Sequence, residues 1–109
     1  MSLIVELSVF PMDKGASVSA FVARAVSVIR ESGLPHQLTP MGTCIEGEWS
    51  EVMAVVRRCF EVLAADSDRV YLTIKADWRR GRTGGLAAKT ESVERALDAG
   101  FERSTAFAW

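Results

Sequence analysis

Three features of this 109-residue chain predict an α+β fold of β-α-β-β-α-β order, the ferredoxin-like arrangement. Residues alternate between apolar and polar near both ends of the first 77 positions. Two stretches of helical spacing separate the extended segments. Between them, residues 36–48 are extended and broken once, at Pro40-Met41-Gly42. The expected result is a sandwich in which two helices cover one face of a four-stranded antiparallel sheet. An extra C-terminal helix follows it. The whole chain, 1–109, reads as a single domain, with 1–77 as its core and 78–109 as basic loop, third helix and tail.

In the first strand Leu3, Val5, Leu7 and Val9 share a core face, and Ile4, Glu6, Ser8 and Phe10 share the other. Pro11 ends the run and Asp13-Lys14-Gly15 reads as a turn. Val18, Phe21, Val22, Ala25 and Ile29 then recur at helical spacing, with Ser17 as the expected N-cap and Gly33 just past the end. Pro35 stands where that helix could not continue. Pro40 assigns the strand pair 36–48 to a sheet edge or a bend. A second helix is expected from Ser50, with Glu51 in its first turn and Val52, Val55, Val56, Cys59, Phe60 and Leu63 as its stripe. The fourth strand runs from Arg69 to Asp77, with Val70, Leu72, Ile74 and Ala76 inward. A basic, glycine-rich loop (79–85) leads to a short third helix carrying Leu86, Val93 and Leu97.

Composition narrows the function classes. The chain is 49% hydrophobic and 25% charged, the make-up of an ordinary globular domain. A formal net charge of −1 gives no electrostatic case for nucleic acid or a membrane surface. No apolar run approaches the ~20 residues of a membrane span, and the N-terminus enters a strand with no basic leader. Two isolated cysteines, Cys44 and Cys59, suit a reducing cytoplasm.

A sheet covered on one side leaves Ile4, Phe10 and Tyr71 on its open face among Glu6, Ser8, Thr73 and Lys75. Together with Phe101, Phe107 and Trp109 of the tail, this face predicts a homo-oligomer.

Catalytic and metal motifs find no support. Residues 82–90 lack the glycine pattern of a phosphate loop, with Thr83 and Ala88 where glycines are needed. Arg79, Arg80, Arg82 and Lys89 could hold an anion at a helix N-terminus, but solvation or salt bridges between subunits is the expected role. His36 is the sole histidine, so neither a nucleophilic triad nor a metal cluster assembles. Asp66-Ser67-Asp68 is too short for a calcium loop. No catalytic residue, metal ligand or cofactor is therefore expected.

The polar chemistry concentrates in residues 37–49. Trp49 reads as a hydrophobic staple into the second helix. Thr39, Thr43 and Glu46, with Ser8, admit two readings: solvent-facing residues of a twisted hairpin, or the wall of a small-molecule site. Hydroxyls beside a carboxylate suit an aminopyrimidine, whose ring amine donates to the carboxylate. A cationic ring would also gain from Phe10 or Tyr71.

Glu6-Leu7-Ser8-Val9-Phe10-Pro11, then Leu38-Thr39-Pro40-Met41-Gly42-Thr43 and Ile45-Glu46-Gly47, resemble the small thiamine-binding-protein family. Asp68-Arg69-Val70, Gly81-Arg82, Lys89 and Ser92-Val93-Glu94 extend the resemblance to about residue 97. It implies a ferredoxin-like fold and a tetramer built from dimers. It also implies non-catalytic binding of thiamine or its hydroxymethylpyrimidine moiety, with Ser8, Thr39, Thr43 and Glu46 as ligand contacts. Two other readings share the element order or the carboxylates: a ligand-sensing regulatory module of ACT type, and an enzyme acting on a small heterocycle.

Overall fold

The computed structural model describes residues 3–99. Strand β1 (Leu3–Pro11) leads to helix α1 (Ser19–Glu31), and the hairpin β2 (His36–Thr39) and β3 (Gly42–Gly47) follows. Helix α2 (Trp49–Ala64), strand β4 (Val70–Trp78) and helix α3 (Gly85–Asp98) complete the described chain. The sheet order is β2-β3-β1-β4, and every neighbouring pair is antiparallel. The expected β-α-β-β-α-β sandwich with an extra C-terminal helix is therefore what the chain forms. Phe101, Phe107 and Trp109, the expected aromatic tail, lie outside the described residues.

Alternation along β1 sets the two faces. Leu3, Val5, Leu7 and Val9 are buried beneath α1 and α2 with Ile29, Val52, Val56, Cys59 and Leu63. Each fully buried aliphatic side chain contributes roughly 1.5–3 kcal/mol of transfer free energy. Cys59 sits in this core, and its Sγ lies 3.4 Å from the Ala25 carbonyl oxygen, joining the two helices. Burial pushes its thiol up to about 11. Antiparallel partners share a face, so the register places Thr43 and Ile45 of β3 on the helix side with Leu7 and Val5. Cys44 and Glu46 fall on the opposite side, with Glu6 and Ile4.

The helix starts differ from those expected. Helix α1 begins after Val18 with no side-chain cap, rather than at Ser17. Helix α2 begins at Trp49, because Glu48 and Glu51 form a reciprocal capping box there. Trp49 is the first helical residue and remains 58% exposed, so it is no staple.

The third helix changes the far side of the sheet. Helix α3 lies against β3, and its Gly85 packs so closely that a Cβ there would meet Ile4 Cδ1 at 2.8 Å. Ile4, expected on an open face, is buried. Arg82 of the loop folds back, donating from Nη1 to Asp77 Oδ2 (3.1 Å) and from Nη2 to the Asp77 carbonyl oxygen (2.8 Å). Lys89 Nζ reaches the same carboxylate oxygen at 2.9 Å. These two cations thus bind within the subunit, where solvation or bridging between subunits was expected. The other end of that face stays open: Phe10 stacks on Tyr71 at 5.7 Å, and Lys75 pairs with Glu6 at 3.3 Å.

Candidate functional site

A notch in the sheet forms the first candidate site. Strand β1 pairs with β4 as far as Pro11, but with β3 only as far as Leu7. Beyond Leu7 the hairpin turns away, leaving the Ser8–Phe10 edge of β1 facing the β2–β3 turn and the underside of α1. That turn is tight, with only Pro40 and Met41 between the strands. Neither residue has a positive φ, so it is not one of the primed turns that match strand twist. Thr39 compensates: its Oγ1 donates to the Gly42 carbonyl oxygen (2.9 Å) and accepts from the Met41 N–H (3.3 Å). Gly42 presses against β1 where a Cβ would stand 2.8 Å from the Leu7 carbonyl oxygen.

The notch encloses a cavity of about 290 Å³ that Ser8, Thr39 and Thr43 all line. Ser8 enters from the far face of the sheet, Thr43 from the helix face and Thr39 from the turn. Val18, Val22, Ala25 and Leu38 supply apolar walls, and Phe10 an aromatic one. Thr43 is 3% exposed, and neither its hydroxyl nor that of Ser8 has a hydrogen-bond partner among the described residues. Both hydroxyl oxygens open to the cavity rather than being sealed from solvent, so this cavity holds unspent hydrogen-bonding capacity. Its size lies at the lower end of ligand pockets, about 300–1,000 Å³.

Glu46 belongs elsewhere. It lies opposite Ile4, four residues along β1 from Ser8, which is ~13 Å of strand. The carboxylate is 3% exposed, and its Oε2 accepts from the Gly85 N–H at 2.6 Å. It thereby caps α3, whose own N-cap is Gly84 and whose first turn holds no acid. Glu46 lines a second cavity of about 620 Å³ between α3 and β2, with Gln37, Leu86, Thr90 and Glu91. Three of the four expected contacts therefore meet in one cavity and the fourth borders another. The sequence reading missed the α3 dock, although a helix opening Gly84-Gly85 without its own capping side chain needs an acceptor from elsewhere.

Asp77 anchors the same end of α3. Hydrogen bonds from Lys89 and then Arg82 hold its carboxyl below the usual aspartate range. Cys44, on β3 between the two cavities, is raised by burial and by nearby Glu6.

Fold and cavities together define a small ferredoxin-like domain with pockets of small-molecule size. The chain belongs to the thiamine-binding protein family, whose pattern matches residues 5–94. A UPF0045 protein of Mycobacterium bovis is 48% identical over 98 residues, covering 89% of this chain and 96% of that protein. One from Synechocystis is 37% identical over 99 residues, covering 90% and 82%. Among solved structures, a hypothetical protein of Methanocaldococcus jannaschii superposes with a TM-score of 0.71 at 31% identity, over 93% of this chain and 97% of that one. A Thermotoga maritima protein, proposed to act in thiamine biosynthesis or salvage, has a TM-score of 0.71 at 23% identity, over 84% and 99%. That last likeness is one of fold. Among the described residues, no helix is long and apolar enough to cross a membrane.

Proposed function

We propose that the protein binds thiamine or its hydroxymethylpyrimidine moiety without catalysing a reaction on it. The observation that carries this reading is the notch cavity, where two unpartnered hydroxyls and the Thr39 turn meet apolar and aromatic walls. An aminopyrimidine is flat, apolar on its faces and ringed with donors and acceptors, which is what such walls and hydroxyls complement. Family membership supports the same ligand class, as does the role proposed for the Thermotoga relative. Assembly as a homotetramer and a cytoplasmic location belong to the same proposal.

A second placement of the ligand has its own support. Glu46 is a nearly buried carboxylate at the larger cavity, and a cationic ring there would gain a charged acceptor. Calorimetric titration of thiamine and of hydroxymethylpyrimidine separates the two. With the ligand in the notch, Thr43→Val weakens binding and Glu46→Gln does so little. With the ligand beside α3 the order reverses, and Glu46→Gln costs ~1.5–3 kcal/mol. Absence of binding by the wild-type chain would end both placements.

A further inference from the structure

The notch does not end at its hydroxyls. Val18, Val22, Val26 and Arg30 are spaced four apart and so form one row along α1. The three valines line the notch cavity. The same three, with Ser27 and Arg30, line an adjoining groove of about 430 Å³, and Leu38 of β2 borders both spaces. Side chains on a helix lean toward its N-terminus, which directs Arg30 back over Val26 and Ser27 rather than off the end of α1. Its guanidinium makes no ion pair or hydrogen bond with another described residue. No carboxylate lines either space. The arrangement is an apolar channel that begins at three hydroxyls and ends at the exposed guanidinium of Arg30 in the last turn of α1.

We propose that this groove is the second arm of the ligand site, that it takes the phosphate ester of an extended heterocyclic ligand, and that Arg30 binds the phosphate. The inference rests on the ligand reading above, with the heterocycle in the notch. A cationic ring alone gains nothing from the charge at the far end of the channel. A ligand that also carries a phosphate matches it, because the planar guanidinium fork fits phosphate oxygens in pairs. Arg30 therefore sets which form of the ligand is preferred.

Calorimetric titration with thiamine and thiamine monophosphate tests this in the wild type, Arg30→Gln and Arg58→Gln. Arg58 is an exposed residue of α2 that borders none of these cavities. The expected result is that the monophosphate binds about tenfold or more tightly than thiamine, as a charge-assisted contact warrants. That ratio falls to near one in Arg30→Gln, persists in Arg58→Gln and shrinks as salt is raised. Thiamine binding with a wild-type ratio near one, or a ratio that survives in Arg30→Gln, overturns the phosphate arm while leaving the notch as a thiamine site. If neither compound binds the wild type, the ligand reading fails and this inference fails with it.

Discussion

Thr43 carries the residue-scale argument, because the residue is nearly buried while its hydroxyl opens to a cavity without a partner among the described residues. Replacing it with valine keeps the shape of the side chain and removes no hydrogen bond within the described fold. We therefore expect Thr43→Val to fold at least as stably as the wild type in urea titration. Thiamine affinity should fall by roughly 0.5–1.5 kcal/mol, the range for a neutral hydrogen bond. Affinity equal to the wild type's would show that the hydroxyl meets no ligand. Gly42 makes the complementary case, since its constraint is space rather than chemistry. A methyl group there would stand 2.8 Å from the Leu7 carbonyl oxygen, a backbone atom that cannot swing aside. Gly42→Ala should destabilise the fold by ~1–3 kcal/mol, as overpacking does, with the shift read from the urea midpoint. An unchanged midpoint would mean that the hairpin moves away from β1 without cost.

Helix α3 is the element whose position depends most on electrostatics. Glu46 caps it, Asp77 binds Lys89 and Arg82 beside it, and Ile4 packs beneath Gly85. Asp77 has a folded pKa below its ordinary value. Its contribution to stability is therefore fully present above about pH 4, the unfolded value. It is lost as pH falls through the lower folded pKa. The carboxylate is 46% exposed, so solvent screens much of the attraction. Hydrogen exchange should report this as faster exchange in residues 85–98 at acid pH than near neutrality, after correction for the intrinsic rate. The core strand β1 should stay protected under the same conditions. Asp77→Asn should loosen α3 already at pH 7, and equal protection in that variant would show that the cluster does not hold the helix. The helix starts show the same dependence on partners. Ser17 was a reasonable cap by residue type, yet α1 begins after Val18 without one. Cap geometry depends on how the chain leaves β1, which residue type does not specify.

Across the whole molecule, the half of the far sheet face that α3 leaves uncovered holds Phe10, Tyr71 and Thr73. Exposed apolar groups also lie at Leu38, Met41 and Trp78. These surfaces motivate the proposed homotetramer. Light scattering at micromolar concentration should report four chains, and a folded species with the mass of one chain would remove the proposal.

Legibility followed the physics of each feature. Period-two alternation in β1 and β4 and the helical stripe of α2 are local patterns, set by burial of one face, so the element order and core residues could be read without coordinates. Three residues that line the notch could be picked out as polar candidates, because Thr39 and Thr43 flank one turn and Ser8 stands on the non-core side of the first strand. Their meeting in a single cavity could not, since it requires β3 to leave β1 after Leu7, a matter of register between segments far apart in the chain. Glu46 shows the same limit more sharply. Its residue type and place in β3 suited a ligand contact, but the structure brings Gly85, 39 positions away, to its carboxylate. The sequence alone determined which residues face which side of each strand and helix, because side-chain period is a property of the local backbone. Only the tertiary structure decided which polar groups were already spent on one another and which were left without a partner among the described residues, because hydrogen bonds across the fold depend on where distant segments come to rest.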